Sequence, residues 1–111
     1  MKLLSIKVEI IADDDPDASY LEQDAFKDRL EQYKNGVFYF VGVRTTAEIV
    51  DSNSVIQYVS GGSLWNIESD DESGIETYKS ELLLDLEKTL IDDYGFTREQ
   101  IDEVGYEVVD A

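Results

Sequence analysis

The chain has 111 residues, 26 of them acidic and 9 basic, for a net charge of −17; 42% are hydrophobic, one is proline, and cysteine and histidine are absent. That apolar content predicts one small folded domain over residues 1–111 and excludes a disordered acidic tail. Lack of cysteine rules out disulfides and thiolate zinc sites, and lack of histidine removes the commonest general base and metal ligand.

MKLLSIKVEIIADDD at the start reads as a strand, not a signal peptide, because Ser5, Lys7 and Glu9 interrupt its apolar stretch. No apolar run approaches the ~20 residues that cross a bilayer, so a cytoplasmic protein is expected. Residues 3–11 alternate, with Leu4, Ile6, Val8 and Ile10 on one face and Ser5, Lys7 and Glu9 on the other. ADDDPDAS ends that strand, since Pro16 cannot continue a ladder and Asp and Ser favour turns. Residues 18–34 predict a helix with Leu21, Ala25, Phe26, Leu30 and Tyr33 as its apolar stripe. Asp17 or Ser19 would cap it, and Lys34 and Gly36 would stop it.

The stretch 37–50, VFYFVGVRTTAEIV, is the surest strand. Tyr39, Val41, Val43, Ala47 and Ile49 share one face, and Phe38, Phe40, Gly42, Arg44, Thr46 and Glu48 the other. It is apolar on both faces early and wet on one later, which predicts a central strand whose first half is sandwiched. DSNS is a hairpin turn, and VIQYVS returns as a strand. Gly61 and Gly62 mark a bulge or a close backbone approach before Leu64, Trp65 and Ile67 resume the alternation. From Ile75 the period turns helical through Tyr78, Leu82, Leu86 and Leu90, widened by Leu83, and Gly95 ends it. TREQ is a capping box for a short helix to Val104, and YEVVDA is a last strand or a loose end. The order β-α-β-β-α-α predicts an α+β fold: a small antiparallel sheet of three or four strands with helices on one face.

Little in this sequence points to catalysis. DDDPD lacks the central glycine and closing glutamate of a calcium loop. Close carboxylate pairs arise by chance among 26 acids, and no phosphate-binding loop follows the paired glycines. Ser60 and Ser63 have no histidine to activate them. Neither enzyme activity, cofactor nor metal is expected. Arg44 reads as an anchor for an internal carboxylate. Trp65 reads as packing on the helix that carries Leu82 and Leu86, with a partner-binding anchor as the alternative.

Charge is the strongest signal. Solubility needs a magnitude of only about 2–8 in a small domain. A salt-adapted surface is one explanation for the excess, and a surface built to meet a basic partner is the other. Phosphates would be repelled, so direct nucleic-acid binding is not expected. Residues 66–111 hold 15 acids and 3 bases, against 11 and 6 in residues 1–65. Duplex DNA carries one charge per ~1.7 Å, so a net charge of −17 matches roughly 29 Å of duplex. The pattern predicts a DNA mimic.

The stretch GVRTTAEIV…VIQYVSGGSLWNIESDDE…ELLLDLEKTLIDDYGF resembles a family of short acidic proteins found in phages, integrated elements and bacterial genomes. DDDPDASYLEQ upstream is similar to the same family, and the likeness spans roughly residues 12–96. It carries no catalytic residues and implies a mobile-element setting. Acidic single-domain proteins in such settings block host nucleases, as anti-CRISPR and anti-restriction proteins do; that step is analogy. The expected function is a non-enzymatic inhibitor of a basic nuclease or CRISPR effector. Its expected binding residues are Glu81, Asp85, Asp92 and Asp93, with Glu68, Asp70, Asp71 and Glu72 and the aromatic Trp65. The alternatives are an immunity or accessory protein that pairs with one cognate partner through aromatic residues, and a structural acidic domain.

Overall fold

A computed structural model describes residues 1–110. Over these the order is β1 (Lys2–Ala12), two 3-10 turns (Ser19–Glu22 and Asp24–Phe26), α1 (Lys27–Lys34), β2 (Phe40–Val50) and β3 (Ile56–Glu68). Then come α2 (Glu72–Asp92), α3 (Arg98–Val104) and β4 (Glu107–Asp110). The fold is α+β, as the residue pattern predicts. The strands form one sheet in the order β3-β2-β1-β4. β2 and β3 form an antiparallel hairpin, β1 and β2 pair antiparallel across the intervening α1 segment, and β4 pairs with β1 in parallel, so the sheet is mixed and not the antiparallel one that the strand order predicts.

One face of the sheet carries the main core. Val8, Val43, Ala47 and Ile49 are buried there against Leu82, Leu86 and Leu90 of α2, with Phe96 and Ile101 closing one side. The predicted alternation of β1 holds from Ile6 onward but not before it. A bulge between Leu3 and Ser5 inserts Leu4 as an extra residue, so Leu3 is buried and Leu4 is exposed.

Local signals set the helix ends. Asp71 caps α2 by accepting from the Gly74 amide at 3.0 Å. Thr97 and Gln100 form the predicted capping box of α3. Behind α1, the Gly36 amide donates to the Tyr33 carbonyl and the Val37 amide to that of Gln32, with Gly36 at φ 73°. In the β2–β3 turn, Asp51 accepts from the amides of Asn53 and Val55 at 2.8 and 3.0 Å.

The segment 18–34 is not one helix. Gln23 is extended, with ψ 145°, and separates two 3-10 turns, so the α-helix starts only at Lys27. A straight helix would aim Leu21, Ala25 and Phe26 the same way. The break instead buries Leu21 with Phe38 and Phe40, half-buries Leu30 and Tyr33, and turns Ala25 and Phe26 outward. Eight α-helical residues are too few to hold alone, so packing decides. Tyr20, Tyr33, Phe38 and Phe40 meet mostly edge to face, with Tyr33–Phe40 centroids 5.2 Å apart.

Phe40 points away from the main core, because its neighbour Val41 points into it. The aromatic lobe therefore covers the start of β2 on the side opposite α2, which sandwiches the strand as the sequence predicts. Lobe and sheet lie end to end. The radius of gyration is 17.2 Å, against about 13 Å for a round domain of this length, and the extents are 56 × 22 × 19 Å.

Candidate protein-binding surfaces

The acidic corner after β3 is a clasp. Glu68 and Asp70 both reach Arg29 of α1, at 3.2 and 2.8 Å, and the second Asp70 oxygen accepts from the same guanidinium at 3.0 Å. That guanidinium also lies 3.8 Å from the centroid of the Phe38 ring. Arg29 therefore ties α1, the aromatic cluster and the corner together. Its hydrogen bonds hold the Asp70 carboxyl below the usual carboxylate range, and the same bonds raise Arg29. Burial, followed by the negative charge of Glu68, pushes the Tyr20 hydroxyl up to about 12.

Further bonds lock the corner from below. Asn66 takes a left-handed conformation at φ 65°. Its side-chain oxygen accepts from the Asp17 amide at 2.6 Å, and its own amide donates to Asp13 at 3.0 Å. Asp17 also accepts from the Ser19 amide and hydroxyl, which lowers its pKa. So DDDPD serves as the strap that holds the corner in place.

Of the predicted corner residues, then, Glu68 and Asp70 are engaged with Arg29, and Asp71 is a helix cap. Glu72 lies exposed in the first turn of α2. The second predicted group differs in kind. Glu81, Asp85 and Asp92 follow i, i+4, i+11 spacing on the solvent side of α2 and span roughly 16 Å of helix. Asp93 sits at the C-cap. All four are exposed, and among the described residues none takes part in an ion pair. The last turn of α2 has no basic residue, so Asp92 and Asp93 oppose the helix dipole. Leu84, 65% exposed, flanks this stripe.

Trp65 is not on the α2 side. Two register shifts in β3, at Gly61 and next to Asn66, set which residues face α2. Leu64 and Ile67 pack with the main core, and Trp65 lies on the opposite face with its ring over Gly42. A Cβ on Gly42 would run into that ring. The residue that meets α2 is Gly61, where a Cβ would stand 2.7 Å from the Leu86 Cβ. This open face of the sheet also carries Tyr58, 72% exposed, and the Arg44–Glu9 pair at 2.9 Å. Arg44 thus anchors a carboxylate of its own chain, as predicted. A shallow depression of about 330 Å³ beside Tyr58 is lined by Ser5, Lys7, Glu9, Arg44, Thr46 and Glu48.

No helix of the described residues is long and apolar enough to cross a membrane. No protein-family model, curated protein or solved structure matches the chain.

Proposed function

We propose that the protein is a non-enzymatic inhibitor that enters the nucleic-acid groove of a basic nuclease or CRISPR effector, in a phage or mobile-element setting. What carries this reading is the division of labour among the acids. Glu68, Asp70 and Asp71 are used by the fold, whereas Glu81, Asp85, Asp92 and Asp93 have no internal partner among the described residues. Two of these lie at a helix end where negative charge is unfavourable, so local stability does not explain their presence.

Shape and charge density support the same reading. A rod 56 Å long with net charge −17 carries one net charge per roughly 3.3 Å, close to the ~3.4 Å spacing of one DNA strand and about half the charge density of the duplex. Opposite-charge steering would give fast, salt-sensitive association.

The test is competition. The chain is titrated against duplex DNA on a purified restriction endonuclease and a CRISPR effector complex, at low and high salt. The fourfold variant Glu81→Gln, Asp85→Asn, Asp92→Asn and Asp93→Asn is run beside it. The expected outcome is displacement of DNA at low salt, weakened at least about tenfold by high salt and by the variant. Equal displacement by variant and parent would sink the reading, as would displacement of nothing by either.

A further inference from the structure

The open face of the sheet is an exception to the chain's acidity. Pairing register places Lys2, Lys7 and Arg44 on this face together with Glu9, Glu48 and Glu107. Those charges cancel, so the whole −17 resides elsewhere. Two copies of so acidic a chain repel through most of their surface. Here they can meet without that cost, and here the exposed aromatics lie: Tyr58, Trp65 at 46% and the neighbouring Ile56 at 51% exposure.

We propose that two copies of this chain associate face to face through the open side of the sheet. The register makes the face self-complementary. Across the strands it runs in rows: Lys2, Val50 and Ile56; Ser5, Glu48 and Tyr58; Lys7, Thr46 and Ser60; Glu9, Arg44 and Ser63; Ile11, Gly42 and Trp65. A two-fold axis along the middle row, through Thr46, lays each row of one copy on its mirror row in the other. Glu48 then faces the second copy's Arg44, Tyr58 its Ser63, and Trp65 its Ile56. Acid meets base, large meets small and the Trp65 ring meets an aliphatic side chain, while Lys2 lies over the second copy's Ile11 and can lay its methylene stem on it. Lys7 meets its own counterpart, with Glu107 beside it in each copy.

The area is sufficient. Five rows at about 6.8 Å and strands about 4.8 Å apart give a flat patch of roughly 550 Å². With the relief of Tyr58 and Trp65 added, this is on the order of the ~800 Å² per partner that stable complexes bury. The lobe bounds the face at the Phe40 end, so in the pair each lobe lies past the far end of the other's face. α2 stays outward in both copies, so this pairing does not depend on the inhibitor reading.

Sedimentation equilibrium of the full chain across about 1–200 µM, at moderate salt, reads the pairing directly. The expected result is a reversible dimer of twice 12.6 kDa. Thr46→Glu, which sets two carboxylates against each other on the axis, is expected to weaken it at least tenfold with an unchanged circular dichroism spectrum. Arg44→Glu should weaken it likewise, and adding Glu48→Arg should restore it by exchanging the facing charges. Asp85→Asn on α2 should leave it unchanged. A monomer at every concentration overturns the proposal and leaves the face to a different occupant. A dimer that Thr46→Glu and Arg44→Glu both leave intact overturns it as well, because the contact then lies elsewhere.

Discussion

Arg29 joins parts of the chain that are far apart in sequence, and its replacement is the most informative single change. Arg29→Ala leaves Glu68 and Asp70 facing each other without a cation and strips the contact from Phe38. The ion pairs are partly exposed, so a loss of about 1–2 kcal/mol is expected rather than the larger cost of a buried pair. The pH dependence has a definite sign. The Asp70 carboxyl titrates below its unfolded value, so its stabilisation is complete above about pH 4 and is lost as pH falls through the lowered pKa. Melting curves of parent and variant should therefore run apart at neutral pH and converge as pH falls through the lowered pKa of Asp70. Gly42 answers a different question. Gly42→Ala must lift the Trp65 ring, the chain's single tryptophan, so the emission should shift to the red and stability should fall by about 1–3 kcal/mol. An unshifted spectrum would mean that the ring does not rest on Gly42.

Among the elements, α2 sets stability against use. Replacing Asp92 and Asp93 by Asn removes charge from a helix C-terminus, which should stabilise the fold by a few tenths to ~1 kcal/mol each. The same change should weaken binding to a basic partner. Thermal melts beside the competition assay separate the two effects, and a drop in stability would show that these acids have a structural duty. Elements governed by neighbours in sequence could be read in advance: the Thr97–Gln100 capping box, the Gly36 stop, the Asp51 turn and the leucine stripe of α2. Those set by distant contacts could not. The break at Gln23 exists because Leu21 must reach Phe38 and Phe40. The side chosen by Trp65 depends on the bulge at Gly61, which reverses the alternation that follows it, and the second bulge, next to Asn66, returns Ile67 to the core. Arg29 and its two carboxylates lie about forty positions apart, so nothing local marks Glu68 and Asp70 as occupied. The acids at 81, 85, 92 and 93 are exposed because they fall off the leucine stripe, and that was visible in the spacing alone.

At the scale of the whole molecule, net charge opposes the folded state while favouring encounter with a basic partner. Added salt should therefore raise the melting temperature by several degrees, since a gain near 1 kcal/mol moves a domain of this size by roughly 4–8 °C. The same salt should weaken partner binding. A melting temperature that falls with salt would mean that the favourable pairs around Arg29 and Arg44, with that of Arg98 and Glu87 at 2.9 Å, outweigh the general repulsion.

The end-to-end arrangement of lobe and sheet has one more consequence, on the time axis. The two apolar clusters share little, and the lobe holds only Leu21, Phe38 and Phe40 fully out of water, with the Arg29 clasp across its seam. Such a piece opens as a unit at a lower free energy than the strands beside it. Amide protons of α1 should exchange with deuterium well before those in the middle of β2, although both are hydrogen-bonded. Arg29→Ala should quicken the first group more than the second, whose exchange follows global unfolding, so that the lobe opens ahead of the sheet.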